Sequence, residues 1–102
     1  MIHYQVTVTI RADLAERFER YMREKHIPEI MALGCFAHAS FEREEDGRFR
    51  TRYVAATEGD LKRYLEEHTA AFRADFLLHF PEGASATREV WRTLERWEST
   101  VG

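Results

Sequence analysis

The chain reads as an α+β fold, a split sandwich in β-α-β-β-α-β order whose four-stranded antiparallel sheet carries both helices on one face. Three observations predict it. Residues 3–10 alternate polar and apolar side chains, two helical apolar stripes run over 14–22 and 61–80, and two strand-like stretches joined by Asp46-Gly47 lie between those stripes. A fourth strand is required to complete that topology.

Each element follows in order. Tyr4, Val6, Val8 and Ile10 alternate with His3, Gln5, Thr7 and Thr9, the period of a strand whose faces meet different surroundings. Asp13 suits the cap of the next helix, where Leu14, Phe18, Tyr21 and Met22 share a face and Glu16 to Arg20 and Glu19 to Arg23 are four-residue charge pairs. Pro28 disfavours helical geometry at Ile27, so a break is expected at His26-Ile27-Pro28, before a short segment ending at Gly34. Strands are then expected over 35–43 and 48–57, with Asp46-Gly47 supplying the positive backbone angle of a tight hairpin. Gly59-Asp60 opens the second helical region, whose Leu61, Tyr64, Leu65, His68, Phe72, Phe76 and Phe80 form one stripe stopped by Pro81 and Gly83. Thr69 can recap it, so one bent helix and two consecutive helices are both open. Residues 86–97 suit either a helix or a strand by pattern; the topology selects a strand.

The length of 102 residues is that of a single domain, 1–102, and a 44% hydrophobic content is enough for a packed core without metal or disulfide support. Fifteen basic against eighteen acidic side chains leave a net charge of −3 and a pI near 5.9, which argues against a nucleic-acid partner, since such binders depend on a positive excess. Arg48, Arg50 and Arg52 share one strand face and are the local exception. The lone Cys35 forms no internal disulfide and suits a reducing compartment, and no apolar stretch approaches a membrane span, so a cytoplasmic protein without a membrane partner is expected.

Large side chains of both parities mark the strands: Phe36 against Phe41, Phe49 and Tyr53 against Val54, Trp91 against Val90 and Leu94. Two helices cover only one sheet face, so the other is expected to be apolar and covered by a second copy of the same sheet, a homodimer enclosing a barrel-like interior.

The first strand, the segment His26-Ile27-Pro28-Glu29-Ile30-Met31-Ala32-Leu33-Gly34-Cys35-Phe36 and the run Tyr64-Leu65-Glu66-Glu67-His68 with Arg73 resemble a small bacterial family of uncharacterised proteins. That family is placed among the ferredoxin-like folds that pair as dimeric α+β barrels. The closing Arg92-Thr93-Leu94 is similar to the family's last strand; Leu33, where threonine is usual, and Trp91 and Trp97 depart from it. The resemblance implies the fold and dimerisation rather than an activity. Relatives in the wider group include small monooxygenases, haem-degrading enzymes and isomerase-like proteins.

Candidate catalytic residues are His26, Glu29 and His68, because an imidazole beside a carboxylate makes an acid-base pair near neutral pH. The competing structural roles are a backbone cap for His26 and a core-edge position for His68. A metal site from His26, Glu29 and a third ligand such as His68 or His38 has acceptable ligand types without the spacing of a zinc helix, so neither a metal nor another cofactor is expected. Cys35 is expected to begin a strand as a small buried hydrophobe. Candidate ligand-binding residues are Tyr53, Trp91 and Arg73, with Tyr53, Trp91, Thr51 and Thr93 lining the interior between facing sheets or simply filling the dimer interface. The expected function is a small dimeric protein that takes a small-molecule ligand, for which a cleft between helices and sheet is one location. A monooxygenase-like or haem-linked enzyme and a protein-protein adaptor built on the charged helices are the alternatives.

Overall fold

The computed structural model describes residues 1–45 and 47–101. Strand β1 (Ile2–Ile10) leads through a 3₁₀ turn (Ala12–Leu14) into α1 (Ala15–Tyr21), a π turn (Met22–His26) and α2 (Ile27–Met31). Strands β2 (His38–Glu44) and β3 (Arg48–Ala55) follow, then α3 (Glu58–Glu67), α4 (Thr69–His79) and β4 (Ala84–Arg92). The strands form one antiparallel sheet in the order β2-β3-β1-β4. This is the expected topology, and the ambiguous C-terminal stretch is a strand only as far as Arg92; residues 93–97, expected to continue it, have no partner strand there.

Several boundaries differ for physical reasons. Asp13 does not cap α1; it sits inside the 3₁₀ turn, its carboxylate 2.6 Å from the Arg11 guanidinium. Pro28 does not break the helix. Ile27 keeps helical dihedrals (φ −65°, ψ −47°), and its N–H reaches back five residues to the Met22 carbonyl. Proline lacks an N–H and its ring crowds the carbonyl four residues back, so a wider π turn immediately upstream lets the chain carry Pro28 without stopping. Cys35 and Phe36 precede β2 rather than belonging to it, and Thr57 follows β3 as the cap of α3, its hydroxyl accepting from the Asp60 N–H at 3.1 Å. The second helical region is two helices, divided at His68 (φ −125°, ψ −32°).

Gly47 closes the β2–β3 hairpin at φ +77°, and its carbonyl accepts from the Ile10 N–H at 2.8 Å. A Cβ there would stand 2.6 Å from the Ile10 carbonyl oxygen, so the turn needs glycine for both conformation and space. Asp46, the other half of the predicted turn, lies outside the described residues.

The core lies between the helices and one sheet face. Phe18, fully buried, packs on Phe41, Phe49, Phe76 and Phe80 with ring centroids 5.1–6.3 Å apart. A second cluster gathers Tyr4, Phe36, Tyr53 and Tyr64 with Ile30, Cys35 and Leu61. Arg92 pairs with Glu58, tying the end of β4 to the start of α3.

The open face corrects the apolar surface expected there. It carries Gln5 and Thr7 from β1, Arg50 and Arg52 from β3, Glu42 from β2 and Glu89 from β4, with Trp91 half-exposed among them. Phe36 is not in β2, and Phe41, Phe49 and Tyr53 all take the helix-facing register, so of the large apolar side chains expected on the open face only Val54 and Trp91 lie there. Arg48, Arg50 and Arg52 do share the open face, and two of them pair across the hairpin, Arg48 with Glu44 at 3.0 Å and Arg50 with Glu42 at 2.9 Å.

Candidate functional site

Small residues leave a gap under α4. Ala84 and Ala86 are the helix-facing residues at the start of β4, and no residue of α4 is fully buried, so the space over that edge of the sheet is incompletely filled. The result is a cavity with about 40 Å³ open to water-sized molecules, the room of roughly three waters. Its floor is Tyr4, Val6, Val8 and Tyr53; its helical wall is Met22, His26, Ile30, Tyr64, Thr69, Phe72 and Phe76; Arg73, Ala86 and Arg88 complete it toward β4.

Tyr53 is 1% exposed, and its hydroxyl has no hydrogen-bond partner, the one buried side-chain polar atom so placed among the described residues. Burial pushes its phenol far up, so the group stays protonated and has a donor to offer. Tyr64, at 5.8 Å from Tyr4 by ring centroids, is pushed up to about 12, first by burial and then by Tyr4.

His26 supplies a second polar edge. Tyr21 donates to Asp75 Oδ2 at 2.7 Å, and the same phenol oxygen lies 3.1 Å from His26 Nδ1. The Asp75 carboxylate is held below its usual range by that phenol and by Lys25, which bonds it at 3.2 Å. Burial and Asp75 together push the Tyr21 phenol up, so its single proton belongs to the Asp75 bond. The hydrogen-bond count then assigns the His26 proton to Nδ1, donating to Tyr21, and leaves Nε2 as an acceptor. Burial lowers the His26 pKa to about 4 against the opposing pull of Asp75 and Glu29, so the ring is neutral at pH 7.

The sequence-predicted residues separate on this geometry. His26, Tyr53 and Arg73 line the same cavity. Glu29 faces outward and binds Lys25 at 3.0 Å, so it does not partner His26 directly. His68 marks the α3–α4 junction, 3.9 Å from Glu67 and outside the cavity wall; His38 lies on the exposed side of β2. His26 and Glu29 are therefore not brought together with either His68 or His38, and no group of three or more His, Cys, Asp or Glu converges among the described residues. Tyr53 and Trp91 occupy opposite sheet faces and cannot line one interior. Thr51 is buried on the helix side, whereas Thr93 meets His3 Nε2 at 3.1 Å. Trp91 instead borders a shallow polar hollow with Arg52, its indole donating to Glu89 at 3.0 Å. Cys35 is buried at 1% exposure in the core.

Three site residues escaped sequence reasoning: Tyr21, Asp75 and Arg88. A signal for Asp75 existed, a carboxylate at the spacing of the Phe72, Phe76 and His79 face of α4. Arg88 likewise interrupts the helix-facing side of β4 between Ala86 and Val90.

The fold is shared with solved structures at low identity. A Deinococcus radiodurans protein assigned to the antibiotic biosynthesis monooxygenases matches over 98% of this chain and 99% of its own, at 13% identity and a TM-score of 0.75. An asparagine-to-alanine variant of SnoaB, a cofactor-independent oxygenase from Streptomyces nogalater, matches over 96% and 97% at 13% identity and a TM-score of 0.72. A de novo designed protein with a ferredoxin fold matches over 99% and 93% at 18% identity and a TM-score of 0.50. These likenesses show the ferredoxin-like fold. No curated protein sequence matches the chain. The model of one protein family matches residues 1–94, nearly the whole chain, and the protein belongs to that family, described as Domain of unknown function (DUF4286).

Proposed function

We propose that the protein binds a small organic molecule in the cleft between α4 and the sheet. The observation that carries this reading is the Tyr53 hydroxyl: a buried donor without a partner costs free energy, and a ligand oxygen reaching the cavity relieves that cost. Apolar walls with a few convergent polar groups are the usual make-up of such sites. The enclosed space is far too small for a haem, so the ligand is compact or extends out between Arg73 and Arg88. The test is a thermal-shift screen of small organic acids and alcohols on wild type and Tyr53→Phe. A compound that raises the wild-type melting temperature more than the variant's supports the reading, and a broad screen without any shift contradicts it.

A second reading is chemistry on the bound molecule, for which the acceptor nitrogen of His26 is the specific support. SnoaB is an oxygenase without a cofactor on the same fold. An oxygen electrode with a candidate substrate tests it. Uptake lost in His26→Gln supports catalysis, and uptake unchanged in that variant removes His26 from the role.

The homodimer belongs to this proposal on a changed basis. A polar sheet face does not drive association by apolar burial, but Trp91 in β4 at 59% exposure, and Leu94 at 97% and Trp97 at 78% in the segment after it, are exposed apolar side chains that a second copy would cover. Sedimentation should give twice the chain mass; a monomer at high micromolar concentration would refute it. Cytoplasmic location and a single domain over 1–102 remain part of the reading. No helix among the described residues is long and apolar enough to cross a membrane.

A further inference from the structure

Resting on the cleft as a ligand site, we infer that its ligand is a small organic anion, whose carboxylate sits between Arg73 and Arg88 while a second oxygen reaches the Tyr53 hydroxyl.

Arg73 comes from α4 and Arg88 from β4, and both line the same cavity. Among the described residues, no carboxylate lies within 4 Å of either guanidinium. Among the described residues most basic side chains have an acidic partner, Arg11, Arg48, Arg50, Arg63 and Arg92 among them; of the other cations without one, Arg17 bonds the His79 carbonyl at 3.0 Å, Arg52 meets Gln5 at 3.4 Å and Arg20 lies on the exposed side of α1, away from the cavity. What sets Arg73 and Arg88 apart is that two exposed guanidiniums without an acidic partner border one cavity, where an anion entering it meets both.

Arg88 has a second explanation, since charges pointing inward on an edge strand discourage sheet-to-sheet pairing. That role requires one charge on β4. It does not require Arg73 on the facing helix, nor Tyr53, whose buried hydroxyl has no partner, in the lining of the same cavity. Guanidinium forks bind a carboxylate through two parallel N–H donors, which fits a carboxylate better than a halide or an alcohol. Because the enclosed space is small and largely apolar, the body of the ligand is a few carbons with one further oxygen.

The test uses ¹⁵N-labelled wild type and the Arg73→Gln/Arg88→Gln double variant, titrated by NMR with 3-hydroxybutyrate and with its neutral amide. Both arginines are exposed, so the variant should fold, and dispersed spectra verify it. In wild type the acid should bind about ten- to a hundredfold tighter than the amide, as charge-assisted hydrogen bonds imply, with shifts centred on Ala86 and Arg88. In the double variant that preference should fall below about threefold. Equal binding of acid and amide to wild type would overturn the anion inference and leave the cleft standing. Binding of neither would overturn both.

Discussion

Tyr53→Phe separates the cleft account from ordinary packing, because it deletes one oxygen and little else. The ring is 1% exposed and packs on Tyr4 at 6.3 Å, stacked, and on Phe36 at 5.1 Å, tilted, contacts a phenylalanine keeps. A buried hydroxyl without a partner costs about 1–3 kcal/mol. Removing it leaves a small void, which returns part of that gain. The variant should therefore be more stable than wild type by about 1 kcal/mol in urea unfolding, near 4–8 °C in Tm for a chain this size. With ligand present the order should narrow, since wild type regains a hydrogen bond and the variant does not. A ligand at a hundred times its Kd adds about 2.7 kcal/mol to wild type, and losing one hydrogen bond reduces the variant's share by about 1 kcal/mol. Destabilisation by 1 kcal/mol or more in the ligand-free variant would refute the reasoning, because the hydroxyl would then be satisfied within the protein.

Other perturbations test the supporting structure. His26 has a folded pKa of about 4 against 6.5 for the free side chain, so the unfolded chain binds the extra proton between those values and stability falls as pH drops from 6.5 toward 4. The loss is on the order of 3 kcal/mol, and NMR titration of the His26 ring should find its midpoint near 4; a midpoint at 6.5 or above would contradict the assignment. Phe18→Ala removes the ring shared by the phenylalanine cluster and should cost about 3–5 kcal/mol in chemical unfolding, whereas a cost below 1 kcal/mol would mean that this core is loosely packed. Gly47→Ala forces a left-handed residue against the Ile10 carbonyl and should cost about 2 kcal/mol; a neutral result would show that the hairpin adopts another turn.

The strands and helices were legible because their periods are local properties of the chain. Residues 3–10 and the stripe from Leu61 to Phe80 carry their own pattern, and the β4 assignment followed from topology when its pattern was ambiguous. The π turn was not legible, since its effect is to rescue a proline that local rules treat as a stop. The open face was misread through one boundary. Starting β2 at Cys35 instead of His38 counted Phe36 as a strand residue and created an apolar face that the register does not contain.

The site was half legible for a related reason. His26, Tyr53 and Arg73 were named from residue type, but their convergence depends on how α4 lies over β4, which no spacing in the sequence encodes. His26 was matched with Glu29 because the two are neighbours in the chain. Its actual acidic partner, Asp75, acts through Tyr21, from which it is 54 residues away in sequence.

The most direct test of the central claim is a crystal structure with a bound small carboxylic acid. The account predicts density in the cleft beneath α4, with a ligand oxygen at hydrogen-bond distance from the Tyr53 hydroxyl and the carboxylate between Arg73 and Arg88. Density instead on the open sheet face, in the hollow between Arg52 and Trp91, would contradict it.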